Sequence, residues 1–221
     1  MITLHHCPQT RSMRILWLLH ELEAEFRVVP HAFDKSLRDP EFLVMSPAGR
    51  VPAIEMDGET YFESGAITEI LCERFQDRGL GRLMGDLDRP DWLVWLHFAE
   101  TITQHSAALT QQHVALYDDT MRSPMVMKLE AARLKKCYAA IEGRLSTPVE
   151  NRDYLLTSGF SAADIAVGQA VYLAKFFAKL DGFPETEKWY ERITDRPGFR
   201  EALPEEGRGI YTQDFYPAWE V

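Results

Sequence analysis

Cysteine is scarce in this chain of 221 residues: only Cys7, Cys72 and Cys137 occur. Three thiols make no disulfide framework and suit a reducing compartment. Positive charge is short as well. Lys and Arg number 24 against 34 Asp and Glu, a formal net charge of −10. That balance argues against nucleic acid or an anionic membrane as the main partner, and solubility accounts for it. No apolar run approaches the ~20 residues of a membrane span. The opening MITLHHCPQTR also lacks the apolar stretch of a signal peptide, so a cytoplasmic protein with no membrane partner is expected. Repeats and low-complexity tracts are missing, and strand signals fade after Pro90. His5 and His6 have no further ligands at metal-site spacing, so no metal is expected. Apolar residues, by contrast, make up 46% of the chain, enough for real cores in one large or two small domains.

The most informative stretch is Ser46 to Ser64, SPAGRVPAIEMDGETYFES. Asp57-Gly58 between two short runs is a strong hairpin signal. Pro52 has no N–H to give, so it belongs at the start of a strand. A cis Val51-Pro52 bond would let the Val51 main chain pair with an extended ligand as an added strand does. Glu63-Ser64 then opens a helical run, Ala66 to Phe75, and a helix start with a small hydroxyl residue is a ready carboxylate site. A strand-like edge beside an anion hole suits a small peptide with a free carboxylate.

Along the rest of the chain, Ile2 to His5 is a short strand. Ile15, Leu18, Leu19 and Leu22 carry helical spacing, Phe26 to Phe33 reads as a second strand, and Pro40 to Met45 as a short helix. The order β-α-β-α-β-β-α requires a crossover between the first two strands, which should pair in parallel. Glycines near 79–85 mark a linker. Beyond it, Trp92 to Leu109 and Met127 to Leu145 form long amphipathic helices, the second ended by Pro148. Ser161 and Asp164 form a capping box at a third helix, with roles in folding. Two shorter helices follow, set off by Pro184 and by Pro197-Gly198. The aromatic tail Tyr211 to Trp219 should pack back on the body. The expected class is therefore an α/β thioredoxin-like domain at 1–79, a linker at 80–88 and an all-α helical bundle at 89–221.

Ser46-Pro47-Ala48-Gly49-Arg50-Val51-Pro52-Ala53-Ile54, followed after the hairpin by Glu63-Ser64-Gly65-Ala66-Ile67, closely resembles the glutathione-binding segment of the glutathione S-transferase family. The likeness spans the whole chain, strongest over residues 1–75 and at the capping box. It implies glutathione as co-substrate, no tightly bound cofactor, a hydrophobic electrophile as second substrate, and a homodimer. By this resemblance Val51 would bond the cysteinyl backbone with Pro52 holding the turn. Glu63 and Ser64 would hold the γ-glutamyl end, and Arg50 would meet the glycyl carboxylate. An electrophile pocket would lie between this domain and the long helix, in the region of His105, His113 and Tyr117, with none of the three assigned to it.

A thiol with a pKa near 8.5 is only about 3% thiolate at pH 7, and moving it down by two units takes roughly 2.7 kcal/mol of preferential thiolate binding. A hydroxyl donor and a helix N-terminus can supply this. Both would lie in His5-His6-Cys7-Pro8-Gln9-Thr10-Arg11-Ser12-Met13-Arg14. Bacterial serine-type members of the family place their hydroxyl four residues before an arginine. Counting back from Arg14 gives Thr10, with Ser12 a second hydroxyl whose alternative role is helix capping. Cys7-Pro8 has some omega-like character. A cysteine there would form a mixed disulfide with glutathione, although Gln9 stands where that branch has an aromatic. Three readings follow: a conjugating transferase, a glutathione-dependent thiol–disulfide oxidoreductase using Cys7, and a non-catalytic binding or scaffold protein.

Overall fold

The computed structural model describes residues 1–148 and 152–215. The elements run β1 (Ile2–His6), α1 (Ser12–Glu21), β2 (Phe26–Pro30), α2 (Pro40–Met45), β3 (Ala53–Met56), β4 (Glu59–Phe62) and α3 (Ser64–Arg74). After these come α4 (Arg89–Thr110), α5 (Pro124–Ser146), α6 (Ala162–Ala174), α7 (Pro184–Thr194) and α8 (Pro197–Ala202). By contact they fall into two compact units. One is Met1–Asp86 with Asp195–Ile210; the other is Leu87–Thr194 with the stretch that begins at Tyr211.

The first unit is built on a four-stranded sheet in the order β2-β1-β3-β4. β1 pairs with β2 in parallel, as the crossover helix requires, and with β3 antiparallel. Flanked on both sides, β1 is buried along its whole length, whereas β2 and β4 are edges with exposed residues. β2 is shorter than the Val- and Phe-rich pattern suggested. It stops at Pro30, opposite His6; the His31 N–H makes one last bond to the His6 carbonyl at 2.7 Å, and Pro30, with no N–H to give, is tolerated because β2 is an edge strand. The β3–β4 hairpin turns at Asp57 and Gly58, both at positive φ (56° and 85°), the type I′ geometry that the Asp-Gly pair favours.

α1 is apolar over most of its surface, and Met13, Ile15, Leu16, Trp17, Leu18 and Leu19 are all buried. Its outer side is covered by α8, which returns from far along the sequence. The Trp17 and Phe199 rings meet edge-on at 4.9 Å, and Arg196 Nε donates to Glu21 Oε1 at 2.9 Å.

In the second unit α6 is the central element: every residue but Tyr172 is buried. A helix apolar all round belongs inside a bundle. The capping box forms as read, Ser161 N–H donating to Asp164 Oδ2 at 3.0 Å. The start of α7 captures a carboxylate, Glu142 Oε2 accepting from the Thr186 N–H at 2.8 Å, as free N–H groups at a helix N-terminus favour. α5 ends at Ser146, two residues before Pro148. Within the tail, Phe215 N–H donates to the Phe176 carbonyl at 2.7 Å, and Tyr211 packs its ring on Phe176; Trp219 lies outside the described residues. Among the described residues no helix is long and apolar enough to cross a membrane.

Candidate active site

The loop before β3 is shaped by Ser46 and Gly49. Ser46 is buried, and its Oγ donates to the Arg50 carbonyl at 2.7 Å, while the Gly49 N–H donates to the Ser46 carbonyl at 2.8 Å. Gly49 has φ 61°, and a Cβ there would meet the Leu37 carbonyl oxygen at 2.8 Å, so the turn admits glycine alone without rearrangement. The turn delivers Arg50 and Val51 to β3, and the Val51–Pro52 bond is cis.

Beyond the hairpin, Glu63 holds φ 72°, an uncommon backbone conformation for a side chain of its size. Such outliers gather at ligand sites. α3 begins immediately after it with no acidic residue in its first turn. The opening N–H groups of a helix have no intrahelical acceptor and carry partial positive charge. Beneath them the buried guanidinium of Arg14 donates to Ser64 Oγ at 3.4 Å.

These segments converge on one shallow, open groove lined by Arg11, Ser46, Ala48, Arg50, Val51, Pro52, Phe62, Glu63 and Ser64. Five residues singled out from sequence, Arg50, Val51, Pro52, Glu63 and Ser64, thus share one wall. Arg11 was missed. The four-residue spacing to Arg14 does not single it out, and only the fold brings the residue that caps α1 to the groove.

The β1–α1 turn carries the three sulfur-chemistry candidates, and they differ in depth. Thr10, next to Arg11, is half-buried; its Oγ1 donates to the Cys7 carbonyl at 2.8 Å and lies 2.8 Å from Ser12 Oγ. Ser12 is fully buried and accepts from the Cys7 N–H at 3.1 Å. Cys7 is 1% exposed, packed with Leu37, Phe42 and Val51. Burial pushes its thiol up to about 11, with Asp34 adding to the shift, so almost none is thiolate near neutral pH. Gln9, also buried, holds φ 52°, a turn geometry that the sequence did not announce.

The two histidines of β1 are both interior. His5 Nδ1 meets His31 Nε2 at 2.9 Å, and its Nε2 meets Glu55 at 3.0 Å. His6 Nδ1 meets Ser12 Oγ at 2.8 Å. Burial drives the His6 pKa down from 6.5 to about 4, against an opposing hydrogen bond to the Ser12 main chain. Unfolding releases an ordinary imidazole, so between those values the unfolded chain binds the extra proton and stability falls as pH falls. The contribution of His6 is complete above about pH 6.5, and about 2–3 kcal/mol of it is lost on the way to pH 4. Denaturant midpoints at about pH 7.5 and pH 5 are expected to show this slope, and His6→Asn to flatten part of it.

The three residues suggested for an electrophile pocket, all in the second unit, have different surroundings. His105 Nδ1 pairs with Glu130 Oε2 at 2.6 Å, His113 stacks on Phe215 at 4.8 Å, and Tyr117 is 90% exposed.

Comparison with known proteins adds the lineage. Residues 1–72 match the model of the glutathione S-transferase N-terminal domain and residues 112–197 that of the C-terminal domain. The chain belongs to the glutathione S-transferase family of enzymes. It is 28% identical over 200 residues to glutathione S-transferase F13 of Arabidopsis thaliana, covering 86% of this chain and 89% of the relative. It is 29% identical over 212 residues to the Escherichia coli disulfide-bond oxidoreductase YfcG, covering 92% and 94%. A sphingomonad glutathione S-transferase solved with glutathione superposes with a TM-score of 0.75 at 26% identity, covering 91% of this chain and 96% of that one. Within the family frame, the sheet of the first unit is the thioredoxin-like part and the helices of the second unit form the bundle.

Proposed function

We propose that this transferase binds glutathione in the groove and uses its thiolate to attack a small hydrophobic electrophile. The observation that carries the reading is the groove's charge pattern: Arg11 and Arg50, the Glu63 carboxylate and the Ser64 helix start line one space. Glutathione brings two carboxylates and one ammonium, the complement of that set. Val51 pairs through its main chain with the cysteinyl residue beside Pro52. Glu63 takes the γ-glutamyl ammonium, Ser64 and the opening turn of α3 its carboxylate, and Arg50 with Arg11 the glycyl carboxylate. The sphingomonad structure holding glutathione supports the same occupant. The glutathione-binding part would be residues 1–79 and the linker 80–88. The helical remainder, 89–221, would hold the electrophile, except that 195–210 packs with α1.

Thr10 is the proposed sulfur donor because it is the least buried of the three candidates and adjoins Arg11 in the groove. Its hydroxyl and the N-terminus of α1 stabilise the thiolate, and the thiol proton goes to solvent. With an aryl halide, the sulfur–carbon bond forms as the carbon–halogen bond breaks, its electron pair leaving on halide. A cytoplasmic homodimer that disposes of electrophiles completes the proposal.

Thiol–disulfide exchange is the second reading, favoured by the similarity to the E. coli disulfide-bond oxidoreductase. The burial and high pKa of Cys7 argue that any such exchange runs through glutathione's own sulfur. Cys7 serves its neighbours through its main-chain N–H and C=O, which Cys7→Ala preserves. That variant is therefore expected to retain most of the wild-type turnover of glutathione with an activated aryl halide. Loss of turnover together with loss of disulfide reduction would move the chemistry to Cys7. Wild-type protein that never retains glutathione on an affinity matrix would leave only a scaffold role.

A further inference from the structure

We propose that His6 is a positioning residue for the thiolate site, acting through Ser12 on Thr10; this rests on the reading of Thr10 as the sulfur's hydrogen-bond donor. The three side chains form one continuous chain. His6 Nδ1 lies 2.8 Å from Ser12 Oγ, which lies 2.8 Å from Thr10 Oγ1. It runs from half-buried Thr10 through Ser12, 0% exposed, to buried His6, 7% exposed.

Proton counting gives one direction for each tautomer of the His6 ring, and the proposal is the tautomer with its proton on Nδ1. A serine oxygen has one proton and two acceptor lone pairs, and the Cys7 N–H fills one of them at 3.1 Å. If the His6 ring carries its proton on Nε2, Nδ1 accepts the Ser12 proton. The second Ser12 lone pair then draws the Thr10 hydroxyl inward, away from any ligand. If the proton is on Nδ1, it fills that second lone pair, and Ser12 donates to Thr10 Oγ1 or to the Cys7 carbonyl at 3.1 Å. The Thr10 hydroxyl, which donates to that same carbonyl at 2.8 Å, can then turn to a sulfur anion. Three donors now point one way: Nδ1–H to Ser12, Ser12 O–H to Thr10, Thr10 O–H to sulfur. Aligned hydrogen bonds polarise one another, and a buried chain is poorly screened. Burial keeps the ring neutral near pH 7, so His6 acts through its tautomer and moves no net proton.

The test titrates the thiol of bound glutathione by its thiolate absorbance and measures kcat and KM with an activated aryl halide. The proteins are the wild type, His6→Leu, His6→Asn, Thr10→Val and the double variant His6→Leu/Thr10→Val. His6→Leu is expected to raise the bound thiol pKa by about 0.5–1 unit. That means roughly three- to tenfold less thiolate and a matching loss in kcat, with the KM for glutathione unchanged; the effect is smaller than that of Thr10→Val. His6→Asn, whose amide can donate where Nδ1–H did, recovers most of the loss. On the Thr10→Val background, His6→Leu adds nothing, whereas an independent structural effect would add in full. An unmoved pKa in His6→Leu, no recovery in His6→Asn, or a full additional shift in the double variant overturns the proposal. If Thr10→Val itself leaves the pKa in place, the Thr10 reading fails first, a result separable from failure of the relay alone. Should His6→Leu not fold, Ser12→Ala cuts the same chain one link nearer. It must shift the pKa at least as far, or the relay is wrong.

Discussion

Thr10→Val is expected to raise the pKa of bound glutathione's thiol by about 1–2 units and to slow conjugation about 10- to 100-fold near neutral pH. A hydrogen bond to a charged acceptor is worth about 1.5–3 kcal/mol, and each pKa unit is about 1.4 kcal/mol of differential binding. Valine keeps the branched shape and removes only the hydroxyl, so packing at the start of α1 is preserved. Ser12 cannot replace the lost donor: it is fully buried, with its oxygen committed to the Cys7 N–H and the His6 ring. The KM for glutathione should change little, because the contacts proposed for the charged ends of the tripeptide lie elsewhere, at Arg11, Arg50, Glu63 and Ser64. A thiolate absorbance titration of the complex reads the shift directly. A pKa left at the wild-type value would pass the stabilising role to the N–H groups of α1.

The groove was legible where the local chain dictates its own geometry. Asp57-Gly58 sets a hairpin without help from the rest of the molecule, and Gly49 answers to a turn that closes on Ser46 three residues away. A helix opening at Ser64 needs only the residues that follow it. The parallel β1–β2 pair followed from the crossover alone, whereas the place of β3 beside β1 came only with the fold. The illegible parts depend on residues far apart in sequence. The depth of Cys7 comes from Leu37, Phe42 and Val51 closing over it, and nothing in Cys-Pro tells a nucleophile from a core thiol. α8 could be seen as a helix, but its place against α1 rests on Trp17–Phe199 and Glu21–Arg196, contacts that span most of the chain. The same holds for His6: its pattern marks a strand residue, and only the approach of Ser12 to its ring makes it the far end of a hydrogen-bond chain.

Asp164→Ala is expected to cost about 3–5 kcal/mol of stability, lowering Tm by roughly 10 °C. The carboxylate is completely buried at the start of α6, and both of its oxygens accept. Oδ1 takes the Leu155 N–H and the Trp189 Nε1–H, each at 2.9 Å; Oδ2 takes the Ser161 N–H at 3.0 Å and lies 3.3 Å from Ser161 Oγ. Alanine would strand three N–H donors where water cannot reach, and each orphan costs about 1–3 kcal/mol. Burial pushes the Asp164 pKa up while these donors pull it down, so the site is built for an acceptor on every side. Asparagine should therefore rescue little, since its NH2 would point at donors. Ser161→Ala removes only the cap, at about 1 kcal/mol. Thermal unfolding of the three variants gives the order, with alanine and asparagine well below Ser161→Ala. Turnover per folded molecule, measured well below each Tm, should match the wild type, because the bonds of Asp164 join the segment before α6 to α6 and α7 within the second unit. A selective fall in kcat with unchanged Tm would make Asp164 part of the chemistry instead.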